Sequence, residues 1–336
     1  MPSPDPQNEF RPVLFGLPFD ALTEPQTLDR IFEFAVQPQG TRGCRIAVTV
    51  NVDFIVNTYY ALKSAPVDPT LAAVLRRAEL VVADGMPLVW LSRLLGTPLP
   101  ERVAGSDLVP MIAERAAKEG VKLYFLGGRA EYTESAAALL RTRCPGLEVT
   151  VDSPFVDLNA PDAAERDREI CDRINASGAS ILLVGFGNPK QELWLERNRC
   201  NLNCGIAIGV GGTFNFIAGA VKRAPEWMRR SGTEWIYRII QEPGRLWKRY
   251  GVGLVQFNIM ALGAMLTRPR KRGAEVRSDG NGGLSVIGRG RFSPSALRAI
   301  LLAAAEKPVR VDRLSRRQRC QLRAHRLADL VKFPDE

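Results

Sequence analysis

Asp84 is the residue best placed by its neighbours to handle a proton. It leaves an apolar run, Leu80-Val-Val-Ala83, and enters Gly85-Met-Pro-Leu88, a helix-compatible segment. A carboxylate at such a junction has two readings. It caps the following helix by accepting bonds from first-turn N–H groups. Alternatively it is a general base in a partly desolvated pocket, where burial raises its proton affinity to a useful range. Both stay open on sequence alone. Arg102-Val-Ala-Gly-Ser-Asp107 is similarly ambiguous: Asp107 caps a helix by position, and the sequence names no structural partner for Arg102.

A second group of residues suits phosphate. The apolar run Ile181–Val184 ends in Gly185-Phe-Gly187, followed by Asn188-Pro189 and an amphipathic run with Lys190, Gln191 and Glu192. Strand, glycine turn and helix in that order place free backbone N–H groups at the carboxyl end of a strand. Open α/β sheets bind ligands there, and a helix N-terminus favours an anion. The plain alternative is an ordinary βα turn whose glycines only permit tight geometry. Gly209-Val-Gly-Gly-Thr213 allows the same two readings. Neither is a dinucleotide fingerprint, because GxGxxG and its following acidic residue are absent.

Absences narrow the chemistry further. The single histidine, His325, lies in the basic tail, and triads, Cys–His dyads and histidine metal sites all need one, so acid–base chemistry is expected from Asp, Glu, Lys, Tyr or Cys. The six cysteines include no CxxC pair; Cys200 and Cys204 lack companions for zinc, and the usage fits a reducing cytoplasm. No Asp-x-Asp pair is present to hold a divalent ion on a nucleotide diphosphate, and no P-loop is present. Neither metal nor cofactor is therefore expected. A reaction at a pyrophosphate would rely on cations and helix dipoles, and Arg238, Arg245 and Lys248 in the segment after residue 222 offer the cations.

The elements that must position these groups alternate. Strands are expected at Arg45–Val50, Leu80–Ala83, Lys122–Leu126, Glu148–Val151, Ser180–Val184 and Ile206–Val210. Helical patterns are expected at Phe54–Leu62, Thr70–Arg77, Pro87–Leu95, Asp107–Glu119, Ala130–Arg143, Ala163–Ser177 and Pro189–Arg199. This predicts a Rossmann-like parallel sheet with helices on both faces. Five strand-end loops would then share one rim: Thr49–Asn51, Ala83–Gly85, Leu126–Gly128, Gly185–Gln191 and Gly209–Asn215. Strands stop after Gly212. Pro225–Ala261 reads as helical and rich in Trp and Arg, with a break at Pro243-Gly244.

The division expected is an N-terminal extension and first helix (1–43), an α/β catalytic domain (44–220), a helical membrane-associating appendage (221–266) and a basic linker and tail (267–336). In the tail Leu284–Ile287 reads as a strand and Ser293–Ala305 as a helix, but Arg310–Arg326 offers no visible core. The chain of 336 residues carries a net charge of +10, and residues 268–336 hold 17 Lys/Arg against 7 Asp/Glu. That tail suits an anionic surface. No nucleic-acid motif accompanies it, so a membrane is the expected partner. The longest apolar stretch, Val252–Leu266, is too short and too polar for a bilayer span, and Met1–Pro12 carries no secretory signal.

At these residues the chain resembles the WecG/TagA/CpsF family of bacterial glycosyltransferases, glycosyltransferase family 26. The resemblance runs in order through Thr49-x-Asn51, Leu80–Gly85, Arg102-Val-x-Gly-x-Asp107, Phe125–Gly128 and Pro145-Gly-Leu147. It continues through Leu183–Glu192, Gly209–Phe214, Arg223-Ala-Pro225, Glu234–Arg238 and Glu242-Pro-x-Arg245. It implies a GT-E fold and an inverting, metal-independent transfer of a sugar, often N-acetylmannosamine or its uronate, from a UDP-sugar to an undecaprenyl-diphosphate-linked saccharide. By motif, Asp84 resembles the catalytic base, Thr49 and Asn51 lie near the donor, and Gln191 is a polar contact on the rim. Arg102 joins the substrate-binding set, and Arg238, Arg245 and Lys248 resemble the appendage cations that reach the diphosphate. Lysine at 248 keeps the charge but not the bidentate fork.

The expected protein is thus a UDP-sugar hexosyltransferase, cytoplasmic and peripheral on the inner face of the cell membrane, in cell-surface polysaccharide synthesis. A homo-oligomer is compatible with this reading. Its rivals are a nicotinamide-dependent oxidoreductase on the same architecture and a non-catalytic, membrane-docked sugar-nucleotide or regulatory module.

Overall fold

The computed structural model describes residues 11–37, 43–61, 63, 65–221, 224–225, 228, 234–241, 243–270, 272–279, 283–288, 290–305, 308–312 and 314–332. A short antiparallel pair, β1 (Val13–Leu14) and β2 (Leu17–Pro18), opens them, followed by α1 (Glu24–Val36). Thr23 starts α1 through a capping box with Gln26, two orphan groups satisfying each other.

Six parallel strands form the central sheet: β3 (Arg45–Val50), β4 (Leu80–Ala83), β5 (Leu123–Leu126), β6 (Val149–Asp152), β7 (Ile181–Val184) and β8 (Ile206–Gly209). Their spatial order is β4-β3-β8-β7-β5-β6. All six strand expectations hold to within a residue or so at each end. The strands are near-continuous Val, Ile, Leu and Ala because both faces are covered. Along β3, Ile46, Val48 and Val50 enter one core and Ala47 the other, the period-2 alternation of a strand.

The helices divide between those faces. On the first lie α2 (Val52–Thr58), α3 (Pro69–Arg77), α4 (Met86–Leu95), α7 (Ala163–Ser177) and α8 (Lys190–Asn198). On the second lie α1, α5 (Gly105–Glu119), α6 (Ala130–Arg143) and α9 (Thr213–Ile217). Strand β5 hands its crossover to the outer neighbour β6, whereas the adjacent β7 hands its own towards β8. The connections therefore diverge between β5 and β7, a topological switch point that opens a crevice at the strands' carboxyl ends.

Beyond the sheet, α10 (Glu234–Gln241) and α11 (Pro243–Leu266) meet at the break expected near Pro243. Helix α11 packs on α2 and α4, burying Phe257, Met260, Ala261 and Ala264. Its opposite side leaves Val252, Val255, Ile259, Leu262 and Leu266 exposed. Among the described residues no helix is long and apolar enough to cross a membrane.

The C-terminal stretch departs from expectation. Instead of a linker and a coreless tail, it folds into a four-stranded sheet in the order β12-β11-β10-β9. The strands are β9 (Glu275–Ser278), β10 (Leu284–Ile287), β11 (Val309–Asp312) and β12 (Val331–Lys332), with α12 (Pro294–Ala303) and α13 (Arg316–Ala324) between them. The strand at Leu284–Ile287 and the helix near residues 293–305 are as expected. The missing core is assembled from scattered residues: Phe292, Leu297, Ile300, Val311, Leu322, Leu327 and, from the far N-terminus, Val13.

This unit docks on the six-stranded part of the molecule through Arg76, which bonds Asp329 at 2.7 Å, Tyr59 Oη at 3.0 Å and the carbonyls of Gly16 and Arg326. Gly16 has φ +71°, and a Cβ there would overlap the Arg326 carbonyl, so only glycine fits. Arg326 in turn donates to the carbonyls of Ala61, at 3.0 Å, and Lys63. His325 is buried beside it, and burial pushes its value down to about 4, so it is neutral near pH 7.

Candidate active site

Asp84 follows β4 directly, its backbone N–H held by the Val50 carbonyl at 2.8 Å. The N-cap of α4 is Gly85, and Asp84 lies one residue before it. Asp84 is therefore not the N-cap residue of that helix. Its carboxylate instead faces Arg102, whose Nη1 lies 3.4 Å from Oδ1. Asp107 also loses its expected role as cap. Helix α5 begins two residues earlier, behind Ala104, and places Asp107 in its first turn.

Arg102 has the partners that the sequence could not supply. It bonds Asp107 at 2.7 Å and stands 3.9 Å from Glu234, at the start of α10. Burial works against the guanidinium charge. The carboxylates of Asp84, Asp107 and Glu234 outweigh burial and hold Arg102 above its ordinary value. One cation thus ties the end of β4, the start of α5 and the appendage together.

Asn51 caps α2, its Oδ1 accepting from Asp53 N at 3.0 Å and Phe54 N at 3.3 Å. Thr49 lies one layer deeper. It is buried, and its hydroxyl donates to the Gly209 carbonyl at 3.5 Å. Gly105, at the start of α5, packs over this spot: a Cβ there would be in ordinary contact with Thr49 Oγ1, at 3.7 Å, and Thr213 Oγ1, at 3.6 Å. Thr49, Asn51 and Asp84 therefore share the rim formed by β3, β4 and β8.

A cleft of about 390 Å³ opens along the neighbouring half of that rim, over the switch point. Gly128 and Arg129 after β5, Phe155 after β6, Gly185–Gly187 and Lys190 after β7, and Gly211–Gly212 after β8 line it. Lys190 Nζ sits 5.4 Å from the Phe186 ring and 5.6 Å from the Phe155 ring. Phe155 itself is 79% exposed. Glycine amides, aromatic faces and two cations suit a ligand with both a phosphate and a flat ring.

Gln191 does not project from the rim. Only 2% exposed, it accepts from Gly187 N and Gly211 N, each at 3.1 Å, and donates to Glu192 Oε1 at 2.6 Å. Glu192 is fully buried and takes a further bond from Asn188 Nδ2 at 3.0 Å. Burial pushes its carboxyl up to about 7. Helices α10 and α11 carry Arg238, Arg245 and Lys248 on their backbones. The side chains of these three lie outside the described residues.

Residues 12–271 match the Glycosyl transferase WecG/TagA/CpsF family. The chain belongs to this family. It is also similar to a curated protein of Bacillus spizizenii (strain ATCC 23059 / NRRL B-14472 / W23), named N-acetylglucosaminyldiphosphoundecaprenol N-acetyl-beta-D-mannosaminyltransferase. The two are 32% identical over 183 residues, covering 54% of this chain and 68% of the relative.

In this glycosyltransferase the strand-end motifs do converge on one rim, yet several residues there had no sequence signal. Arg129 and Phe155 fall in none of the motifs, and Glu234 falls in one that gave no hint of its place beside Arg102. Glu192 belongs to the motif around Gly185, but an amphipathic pattern predicts nothing about complete burial. The β9–β12 unit lies outside the family match.

Proposed function

We propose that this enzyme transfers a sugar from a UDP-sugar to an undecaprenyl-diphosphate-linked saccharide, with inversion and without a metal ion. The observation that carries the proposal is Asp84: a partly exposed carboxylate at the end of β4, on the sheet rim and facing Arg102. Asp84 takes the proton of the acceptor hydroxyl as its oxygen attacks the anomeric carbon. The bond from that carbon to the UDP oxygen breaks on the opposite side, so one displacement inverts the centre. A base positioned in this way contributes about 10²–10⁴-fold in rate.

The donor belongs in the cleft over β5–β8, its diphosphate near the glycine loops and the N-terminal turns of α6 and α8. Arg238, Arg245 and Lys248 steady the departing charge in the way their positions in the family motifs imply. The name of the Bacillus relative supports an acceptor of undecaprenyl-diphosphate-linked N-acetylglucosamine and an N-acetylmannosamine donor.

The lipid-linked acceptor fits the exposed stripe on α11. From Gly251 to Thr267 the chain carries no charged residue, while Arg245, Lys248 and Arg249 precede it and Arg268, Arg270, Lys271 and Arg272 follow. An apolar face flanked by cations lies in an anionic membrane interface without crossing it. This supports a peripheral position at the cytoplasmic face.

Purified enzyme assayed against a panel of UDP-sugars, with a lipid-diphosphate N-acetylglucosamine acceptor, tests the reading. Transfer that resists EDTA and yields the inverted anomer is expected. Retention of configuration, or activity lost to EDTA and restored by Mg²⁺ or Mn²⁺, overturns it.

A further inference from the structure

A buried primary amide can sit either way round, and Gln191 must sit one way only. Two N–H donors, from Gly187 in the β7–α8 loop and Gly211 in the β8–α9 loop, converge on its Oε1 at 3.1 Å each. A reversed amide would turn its NH₂ towards both donors and break both bonds. The choice is made on the other side, where Nε2 donates at 2.6 Å to Glu192 Oε1. Both Glu192 oxygens face amide NH₂ groups, Oε1 that of Gln191 and Oε2 that of Asn188, so Oε1 acts as the acceptor that fixes the NH₂ end of Gln191 and leaves its carbonyl for the glycines.

The pair cannot shift aside. It lies flat on Gly209 of β8, where a Cβ would overlap Gln191 Nε2 and approach Glu192 Oε1 to 2.9 Å. The second carboxylate oxygen is held by Asn188 Nδ2, and Asn188 Oδ1 accepts from Asn57 on α2 at 2.8 Å. The chain of bonds runs from Asn57, in the last turn of α2, to both glycine loops of the cleft.

We propose that Glu192 is a positioning residue that orients the Gln191 amide and so holds the Gly185–Gly187 and Gly209–Gly212 loops together as the floor of the donor cleft. This rests on the reading of that cleft as the UDP-sugar site. Glu192 touches no substrate and acts through Gln191. Its hydrogen-bond partners among the described residues are neutral amides, and complete burial on such terms is costly for a carboxylate. A volume-filling role would be met as well by an apolar side chain.

Glu192→Met separates the two roles, since it keeps volume and removes the acceptor. In full-length protein its thermal stability is expected to equal or exceed wild type, because a buried carboxylate is gone. The donor KM is expected to rise about tenfold, with kcat changing by less than about twofold. The Gly187 and Gly211 amide protons, followed by hydrogen-exchange NMR, should exchange about tenfold faster. Glu192→Gln should fall between, because each orientation of a glutamine there breaks one of the two bonds. Wild-type exchange and donor KM in Glu192→Met overturn the proposal. If that variant does not fold, Glu192→Gln with unchanged glycine exchange overturns it. Wild-type enzyme that transfers from no UDP-sugar sinks the donor reading instead, and the exchange measurement still decides the role of Glu192.

Discussion

Arg102 approaches Asp84 to 3.4 Å, while it bonds Asp107 at 2.7 Å. The tight partner of the guanidinium is the carboxylate inside α5, and the looser one is the carboxylate proposed as base. A contact at 3.4 Å is a weak hydrogen bond that leaves most of the Coulomb attraction. Asp84 is thereby held at the rim without being clamped by its cation.

Asp84→Asn should keep donor affinity within about twofold and lower kcat by roughly 10²–10⁴-fold. Titration calorimetry with the donor and a radiolabelled transfer assay read the two separately. Near-normal turnover would remove Asp84 from the chemistry.

Arg102→Ala leaves three carboxylates, those of Asp84, Asp107 and Glu234, facing each other in a half-buried site. The expected cost is roughly 1–3 kcal/mol, less than for a fully buried pair because water screens the site. Chemical denaturation measures it. A drop in kcat should accompany the loss, and Arg102→Lys should preserve stability better than activity.

Glu192 makes stability depend on pH in a defined direction. Its folded-state value, about 7, lies above its ordinary 4.5. The protonated form therefore favours the fold, so its contribution is complete below about pH 4.5 and is lost as pH rises through about 7. The total is on the order of 3 kcal/mol, each tenfold change in proton affinity being worth about 1.4 kcal/mol. Glu192→Gln does not titrate, so wild type should lose stability relative to it across this window. Parallel curves from about pH 5 to 8 would contradict the assignment.

Ile259 and Leu262 are exposed on the uncharged side of α11. Ile259→Glu/Leu262→Glu should weaken binding to phosphatidylglycerol vesicles at least about tenfold, each apolar side chain being worth ~1.5–3 kcal/mol when buried. Transfer to a short-chain, water-soluble acceptor should be unchanged. Sedimentation with vesicles supplies the measurement, and undiminished binding would place the membrane contact elsewhere.

Asp329→Ala removes the closest anion of Arg76, which is itself largely buried between the catalytic sheet and the C-terminal unit. A single unfolding transition, lowered by roughly 2–3 kcal/mol, is expected. Separate melting of a C-terminal unit, untouched by the substitution, would show that the two parts are not joined through this contact. Removal of residues 268–336 should likewise reduce stability, because Arg76 would lose both Asp329 and the Arg326 carbonyl.

The sheet was legible because short apolar runs bounded by glycine have few other ways to be satisfied, and all six strands follow from them. Helix starts were less so. Asp107 looks like a cap, yet α5 begins at Gly105, behind Ala104, and takes Asp107 into its first turn. The C-terminal core was illegible for a different reason. Its arginines mask the alternation of Val309 and Val311, and one of its members, Val13, comes from the opposite end of the chain.

By itself the sequence determined the family, the parallel sheet and the rim that carries Asp84, since these depend on local periodicity and on motif residues near each other in the chain. Only the tertiary structure decided what those residues do to one another. Arg102 meets Glu234, Gln191 bridges Gly187 and Gly211, and Arg76 meets Asp329 through contacts between distant segments. Burial and hydrogen-bond partners belong to three-dimensional neighbours, so local pattern cannot show which carboxylate faces Arg102 or that the Gln191 side chain is buried.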